Sequence, residues 1–347
     1  MSKKNKIIIA LSAIIVLLIF IIGLFFYSMN PVSKESEKVI FKVESGSSKF
    51  DIIDNLKEAN LIKSKLSAYL YVFLGNSNLQ AGTYELDRNE SLSEIINKIN
   101  NGEIYRETFT ITFVEGKRLT KYASLIAEKL KVEEKEVIKT IGDKEYLNEL
   151  INKYWFLTAD ILNDDLYYPL EGYLFPAKYE FFSDTSIKGV IEKMLDTTSA
   201  RLEPYKEKIK NSKYSIHEIL SMASIIELEA VSKSDRQTVS QVIYRRLEKN
   251  WSLGMDVTAY YGVKKEMGET LYKSELNDNN PYNTRLASKK GLPVGPICNP
   301  SLDSIDAVFN PTNTEYMFFY ADIKTGIVYF AKTSDEFTKL IKEIGGN

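Results

Sequence analysis

The sequence predicts an α+β protein on an amino-terminal transmembrane helix, with small strand–turn–helix units first and a mixed α/β domain after them. Three features carry that prediction. They are an uncharged apolar run over residues 7–27, two stretches that read as strand, glycine turn and amphipathic helix, and a long carboxyl-terminal region where helical periodicity alternates with Pro/Gly-rich loops. In order, residues 1–6 form a short terminus, 7–27 the span, 38–132 the α+β region, 133–163 a helical connector and 164–347 the main domain.

The run IIIALSAIIVLLIFIIGLFFY supplies the ~20 apolar residues that a bilayer-spanning helix needs. A cleaved signal peptide is the alternative. The run exceeds the ~7–15 residue apolar region of such peptides, however, and SMNPVS offers no A-x-A-like exit, so retention as an anchor is expected. Lys3, Lys4 and Lys6 precede the span, whereas PVSKESEK after it mixes signs. The positive-inside tendency therefore sets the amino terminus in the cytoplasm and the rest of the chain outside.

VIFKVESGSSKFDIIDNLKEANLI (39–62) and FTITFVEGKRLTKYASLIAEKLKV (109–132) share one plan, with Gly46 and Gly116, Ile53 and Ala123, and Leu56 and Ile126 at a constant offset. NESLSEIINKINNG repeats the helical part. Ser48-x-x-Asp51 and Ser91-x-x-Glu94 have the form of capping boxes and predict where two helices start. VEEKEVIKTI and KEYLNELINKYW are amphipathic and make the connector. DDLYYPLEGYLFPAKYEFF (164–182) is dense in aromatic residues. Tyr173 and Phe175 there are candidates for stacking on sugar faces, although aromatics more often fill cores.

Composition bounds the chemistry. The chain has 347 residues, is 44% hydrophobic and carries 45 basic against 47 acidic residues, enough for real cores and without the basic stripe of a nucleic-acid binder. One cysteine, Cys298, excludes an internal disulfide. One histidine, His217, argues against a His-based metal site or a Ser-His-Asp triad. No metal and no cofactor are expected, so chemistry would fall to carboxylates, amides and hydroxyls.

Ser215-x-x-Glu218 is a third capping box and predicts a helix from Ile216 to about Val231. At ~100° per residue, Ile216, Ile219, Leu220, Ala223, Glu227 and Ala230 form one stripe, with Glu229 ~200° from Glu227. Glu227 therefore points toward the core. It is either a desolvated carboxyl able to act as a general acid or a structural partner of Arg236, Arg245 or Arg246. Glu229 reads as a supporting or surface charge. Downstream, LGMDVTAYYG (253–262) and NPYNTRLASKKGLPVGPICNPS (280–301) are irregular, and long loops of this kind are more often functional. Asp256, Thr258, Asn283, Gly291, Pro293 and Asn299 are the candidate saccharide contacts, with Glu229 beside them.

These stretches together resemble the membrane-anchored endolytic murein transglycosylases, the MltG or YceG-like family. The resemblance runs in order through the span, VESGSSKFDIIDNLKEANLI, LQAGTYELDRNESLSEII, ITFVEGKRLTKYASLIA, LEGYLFPAKYEF, ASIIELEA, DVTAYYG, PYNTR and GLPVGPICNPS. It implies LysM-like glycan-binding modules over 38–132, a catalytic domain over 164–347, and Glu227 as acid/base. The family often has LQ-[ST]-DPT and PYNTY where this chain has LGMDVT and PYNTR, so Gly254 and Arg285 depart from it.

By the resemblance, one acid protonates the oxygen between N-acetylmuramic acid and N-acetylglucosamine. The muramic 6-hydroxyl then closes a 1,6-anhydro ring, an intramolecular step that needs no second carboxylate. The implied partners are nascent peptidoglycan strands, the cell membrane and peptidoglycan synthases, with no nucleic acid, and the implied outcome is termination of glycan elongation. The rival readings are a hydrolytic muramidase, with Glu229 or Asp256 opposite Glu227, and a noncatalytic wall-binding scaffold.

Overall fold

The computed structural model describes residues 3–322 and 325–344. The side chains of Lys3, Lys4 and Lys6, on which the expected orientation of the span rests, lie outside the described residues. The chain divides into two compact units, Met1–Glu107 and Thr108–Asn347. Its content is mixed helix and strand, with three two-stranded sheets among the described residues.

The first unit opens with α1 (Lys3–Met29), the one described helix long and apolar enough to cross a membrane. Strand β1 (Lys38–Val43) follows, then α2 (Lys49–Glu58), α3 (Lys65–Leu74), β2 (Gly82–Asp87) and α4 (Leu92–Asn101). β1 and β2 pair antiparallel from Lys38↔Asp87 to Val43↔Gly82. Capping boxes start α2 at Ser48 and α4 at Ser91, each with the serine and the acid three residues on satisfying one another's backbone N–H. Phe41, Ile53, Leu56, Tyr84, Leu86, Ile95 and Ile99 close a core of this unit's own.

The second unit contains β3 (Thr108–Thr112), α5 (Leu119–Leu130), α6 (Glu134–Ile141), α7 (Lys144–Lys153), β4 (Lys178–Phe182), α8 (Ile187–Leu202), α9 (Lys206–Lys210) and α10 (Ile216–Glu229). It continues with α11 (Lys233–Glu248), α12 (Asp256–Gly262), α13 (Lys273–Leu276), α14 (Leu302–Phe309), β5 (Phe318–Ala321), β6 (Val328–Ala331) and α15 (Ser334–Glu343). The two strand–glycine–helix copies are real as local structure: Gly46 and Gly116 both take positive φ, +85° and +70°, at the turn between strand and helix. They nevertheless fall in different units, because β1 pairs within the first, whereas β3 pairs with β4 in the second. Helices α6 and α7, at the expected connector, send Val137, Ile141, Leu147 and Leu150 into the second unit's core.

α10 is the axis of that core. Every residue from Ile216 to Ile226 except the half-buried Glu218 of the capping box is buried, so the helix has almost no solvent face along most of its length. It packs against α11, α12 and α14. The capping box at Ser215 fixes its start, and Ala230, in extended conformation (φ −143°, ψ 142°), ends it directly after Glu229.

Candidate active site

The two carboxylates near the end of α10 meet opposite surroundings. Glu227, whose side chain is 7% exposed, uses both oxygens as acceptors. Oε1 lies 3.2 Å from Nη2 of Arg236 on α11. Oε2 takes hydrogen bonds from the Ser301 N–H (2.9 Å), the Ser301 hydroxyl and the Ser304 hydroxyl (2.7 Å). Ser301 is the N-cap of α14, so Glu227 is the pin that joins α10, α11 and the start of α14. Its γ-carbon faces the β3–α5 turn, where a Cβ on Gly116 would sit 3.5 Å away. The structure thus gives Glu227 the paired surroundings that the sequence left open, with three donors on Oε2 and Arg236 on Oε1.

Glu229 is the reverse case. It opens into a cavity of about 570 Å³ lined by Leu228, Arg246, Gly254, Met255, Asp256, Tyr260, Arg285, Phe318, Phe319, Tyr320 and Phe337, a volume that accommodates small ligands. Among the described residues it makes no hydrogen bond or ion pair. Burial pushes its carboxyl up to about 7, opposed by the positive charge of Arg246. Its place as the last residue of α10 adds the negative end of the helix dipole to the same side of the balance. Arg246 is anchored by its Nε to the Met317 carbonyl at 2.9 Å and by Nη1 to the Leu253 carbonyl, and its guanidinium lies over the Phe318 ring at 5.8 Å. That positive group is therefore held near the acid without neutralising it in a direct contact.

The remaining predicted residues sort by where their polar atoms go. Asp256, the first residue of α12, lines the cavity and pairs with Arg285 at its rim. Gly254 lines it too, at φ +63°, where its N–H donates to the Thr284 carbonyl at 2.8 Å. Both departures from the family pattern therefore border this one cavity.

The others are not brought to it. Thr258 is fully buried, donating to the Met255 carbonyl (2.7 Å) and paired with the Thr284 hydroxyl (2.8 Å). Asn283 is buried and holds the Leu276 and Asp278 carbonyls. Asn299 accepts from the Gly172 and Leu174 N–H groups and donates to the Lys117 carbonyl and to Glu171. Tyr173 is a core residue whose hydroxyl meets His217 Nδ1 at 2.8 Å, and Phe175 is buried under Arg201. Pro293 is buried, and Gly291 (φ +89°) forms a backbone bridge with Ser252. These side chains satisfy the loops' own backbone, which has no sheet ladder to supply partners.

The sequence reading missed one wall of the cavity altogether. It is built from β5 (Phe318–Ala321), paired antiparallel with β6, and from Phe337 of α15, stacked on Phe318 with ring centroids 5.5 Å apart. Glu171 is a second buried acid, raised to about 8 by burial. Three donors hold it, the Tyr261 hydroxyl, the Leu119 N–H and Asn299, and they make it a structural hub rather than an open site. Cys298 is buried, with its thiol donating to the Ser224 carbonyl, and burial pushes it well above the usual thiol range.

A profile of the YceG-like family matches residues 41–343. The chain is 39% identical over 324 residues to the endolytic murein transglycosylase of Bacillus subtilis strain 168, covering 91% of this chain and 89% of that one. It is 28% identical over 334 residues to the endolytic murein transglycosylase of Streptococcus pneumoniae strain D39, of whose length it spans 60%. A crystal structure of a yceG-like protein of Listeria monocytogenes superposes with a TM-score of 0.63 at 35% identity, covering 88% of this chain and all of that one. With a family profile spanning nearly the whole sequence and a bacillar relative alike over nine-tenths of it, the chain belongs to the YceG-like family.

Proposed function

We propose that the chain is an endolytic lytic transglycosylase of peptidoglycan and that Glu229, not Glu227, supplies the proton. The observation that carries the choice is the unpaired Glu229 carboxyl in the cavity, with a proton affinity near neutrality. A general acid works best when its pKa lies close to the operating pH. Glu229 gives its proton to the oxygen linking N-acetylmuramic acid to N-acetylglucosamine as the bond from muramic C1 to that oxygen breaks. The muramic 6-hydroxyl then bonds to C1, and its proton returns to the Glu229 carboxylate. One C–O bond is exchanged for another, a 1,6-anhydro end forms, and no water is consumed. Tethering the nucleophile to the reacting sugar makes the attack intramolecular, which removes much of its entropic cost.

The aromatic side chains of Phe319, Tyr320 and Tyr260 in the lining offer faces on which saccharide rings can rest. Asp256 and Arg285 at the rim offer hydrogen bonds to sugar hydroxyl and acetamido groups. The first unit, two helices between antiparallel strands with its own core, suits a LysM-like glycan-binding module, and α1 suits a membrane anchor with the remainder outside the cell. Such an enzyme would cut nascent strands near the membrane and end their elongation, with peptidoglycan synthases as its neighbours.

The test is Glu229→Gln and Glu227→Gln in the full chain, assayed on peptide-free glycan strands with mass analysis of the products. Glu229→Gln should bind glycan and release no anhydro-ended fragments. Retained cleavage by Glu229→Gln would remove that residue from the chemistry, and products with reducing ends in the unmodified protein would make it a hydrolase.

A further inference from the structure

We propose that the outer face of α3 lies in the head-group region of an anionic bilayer beside α1, so that the first unit touches the membrane with a second, non-spanning helix. The inference rests on the reading of α1 as a membrane anchor. Helix α3, KLSAYLYVFL, is apolar on both faces. One face, with Ser67, Ala68 and Val72, is buried. The opposite face presents Leu66, Leu70, Phe73 and Leu74, a stripe at i, i+4, i+7 and i+8, with Leu74 82% exposed. Phe50 of α2, also exposed, extends the stripe, its ring centroid 5.0 Å from that of Phe73. Single exposed apolar side chains are ordinary, but a contiguous patch marks a surface that something covers.

What covers it is indicated by where the helix is tied. The Ser67 hydroxyl is hydrogen-bonded to the Ser28 hydroxyl in the last turn of α1, and Ser28 also donates to the Phe25 carbonyl at 2.7 Å. The ammonium of Lys63, just before α3, lies 4.3 Å over the ring of Tyr27. The 27 residues of α1 extend ~40 Å against a hydrocarbon core of ~30 Å, so the end of α1 emerges in the interfacial layer that aromatic residues favour. The patch on α3 is thus continuous with the span. Ten residues are too few to cross, which leaves the interfacial placement open to amphipathic and short apolar helices. Lys49 and Lys63 border the patch through ring contacts, with no carboxylate partner among the described residues, and fit anionic lipid head groups.

The experiment uses the full chain in vesicles of phosphatidylcholine and phosphatidylglycerol. The sole native thiol, Cys298, is buried, so Leu74→Cys, Leu70→Cys and Val16→Cys can each carry one environment-sensitive fluorophore. Val16, within α1, reports on the anchor itself. Labels at 70 and 74 are expected to shift to the blue on reconstitution, to be quenched by nitroxide-bearing lipids and to be shielded from aqueous iodide. Quenching by iodide alone at 70 and 74, with lipid quenching at 16, overturns the proposal and leaves the anchor standing. Shielding from both quenchers places a second copy of the chain or another protein on the patch and also overturns it. Absence of lipid quenching at 16 overturns the anchor and the proposal together.

Discussion

Replacing Glu229 by Gln should stabilise the protein above about pH 4.5, where the carboxyl of the unfolded chain is ionised. Glu229 has its carboxyl raised from an ordinary 4.5 to about 7 in the folded state. A group raised on folding contributes stability that is fully present below its unfolded value, here 4.5, and is lost as pH climbs through its folded value near 7. At about 1.4 kcal/mol per tenfold change in proton affinity, the rise corresponds to a ceiling of about 3 kcal/mol. Solvent reaching the carboxyl through the cavity mouth reduces this to about 2 kcal/mol at pH 8. Gln mimics the protonated acid, so the two proteins should melt together below about pH 4.5, diverge progressively between pH 4.5 and about 7, and keep a constant gap above that. The expected gap is roughly 4–8 °C at pH 8 for a unit of this size. Scanning calorimetry of the full chain in detergent micelles between about pH 4 and 8 measures it. Parallel melting curves across that range would refute the reasoning, since Glu229 would then ionise with the same ease folded and unfolded.

Other perturbations have equally definite outcomes. Glu227→Ala takes the shared acceptor from Ser301, Ser304 and Arg236, which keeps Asp303 and the Ala230 carbonyl, and should cost about 1–3 kcal/mol, read by chemical denaturation. A fully stable Glu227→Ala would contradict the pinning role. Gly254→Ala meets no steric block, its nearest neighbour being Arg246 Nη1 at 3.6 Å, but must hold φ +63°, and should lose about 1–2 kcal/mol of stability by the same measurement. Arg285→Ala breaks an exposed pair with Asp256, so stability should change by less than about 1 kcal/mol, whereas KM for glycan should rise more than kcat falls. The transglycosylation rate should decline above pH 7 as Glu229 loses its proton, and a pH–rate profile of kcat/KM checks this.

Much of the fold was legible because its signals are local. Capping boxes at Ser48, Ser91 and Ser215 each mark a helix start within a few residues, and Gly46 and Gly116 each mark a turn. The partition into units was not legible, since it depends on which strand each copy pairs with, and β4 begins 66 residues after β3 ends. The cavity was half visible: Glu229, Asp256, Gly254 and Arg285 lie in stretches the sequence singles out, but the wall from β5 and α15 has no motif beyond ordinary aromatic alternation.

The apolar stripe singles out Glu227 by direction alone. Stripe logic assumes a helix with one wet side, and α10 is buried all round from Ile219 to Ile226, so apolarity selects no direction there. What distinguishes the two glutamates is the presence of Ser301 and Ser304, 74 and 77 residues downstream, beside one of them and not the other. Polar residues in the Pro/Gly-rich loops were read as saccharide contacts for a related reason. Thr258, Asn283 and Asn299 are committed to backbone groups that the same loops leave without partners.

The acid's location is metered from afar. Fourteen residues separate the Ser215 cap from the break at Ala230, a rod of about 21 Å whose last unit is Glu229. Inserting or deleting one residue anywhere in that rod would swing the terminal carboxyl by about 100° and carry it off the cavity, even if every side chain were otherwise preserved. Between positions 215 and 229, then, divergence is free to alter which residues occur but not how many.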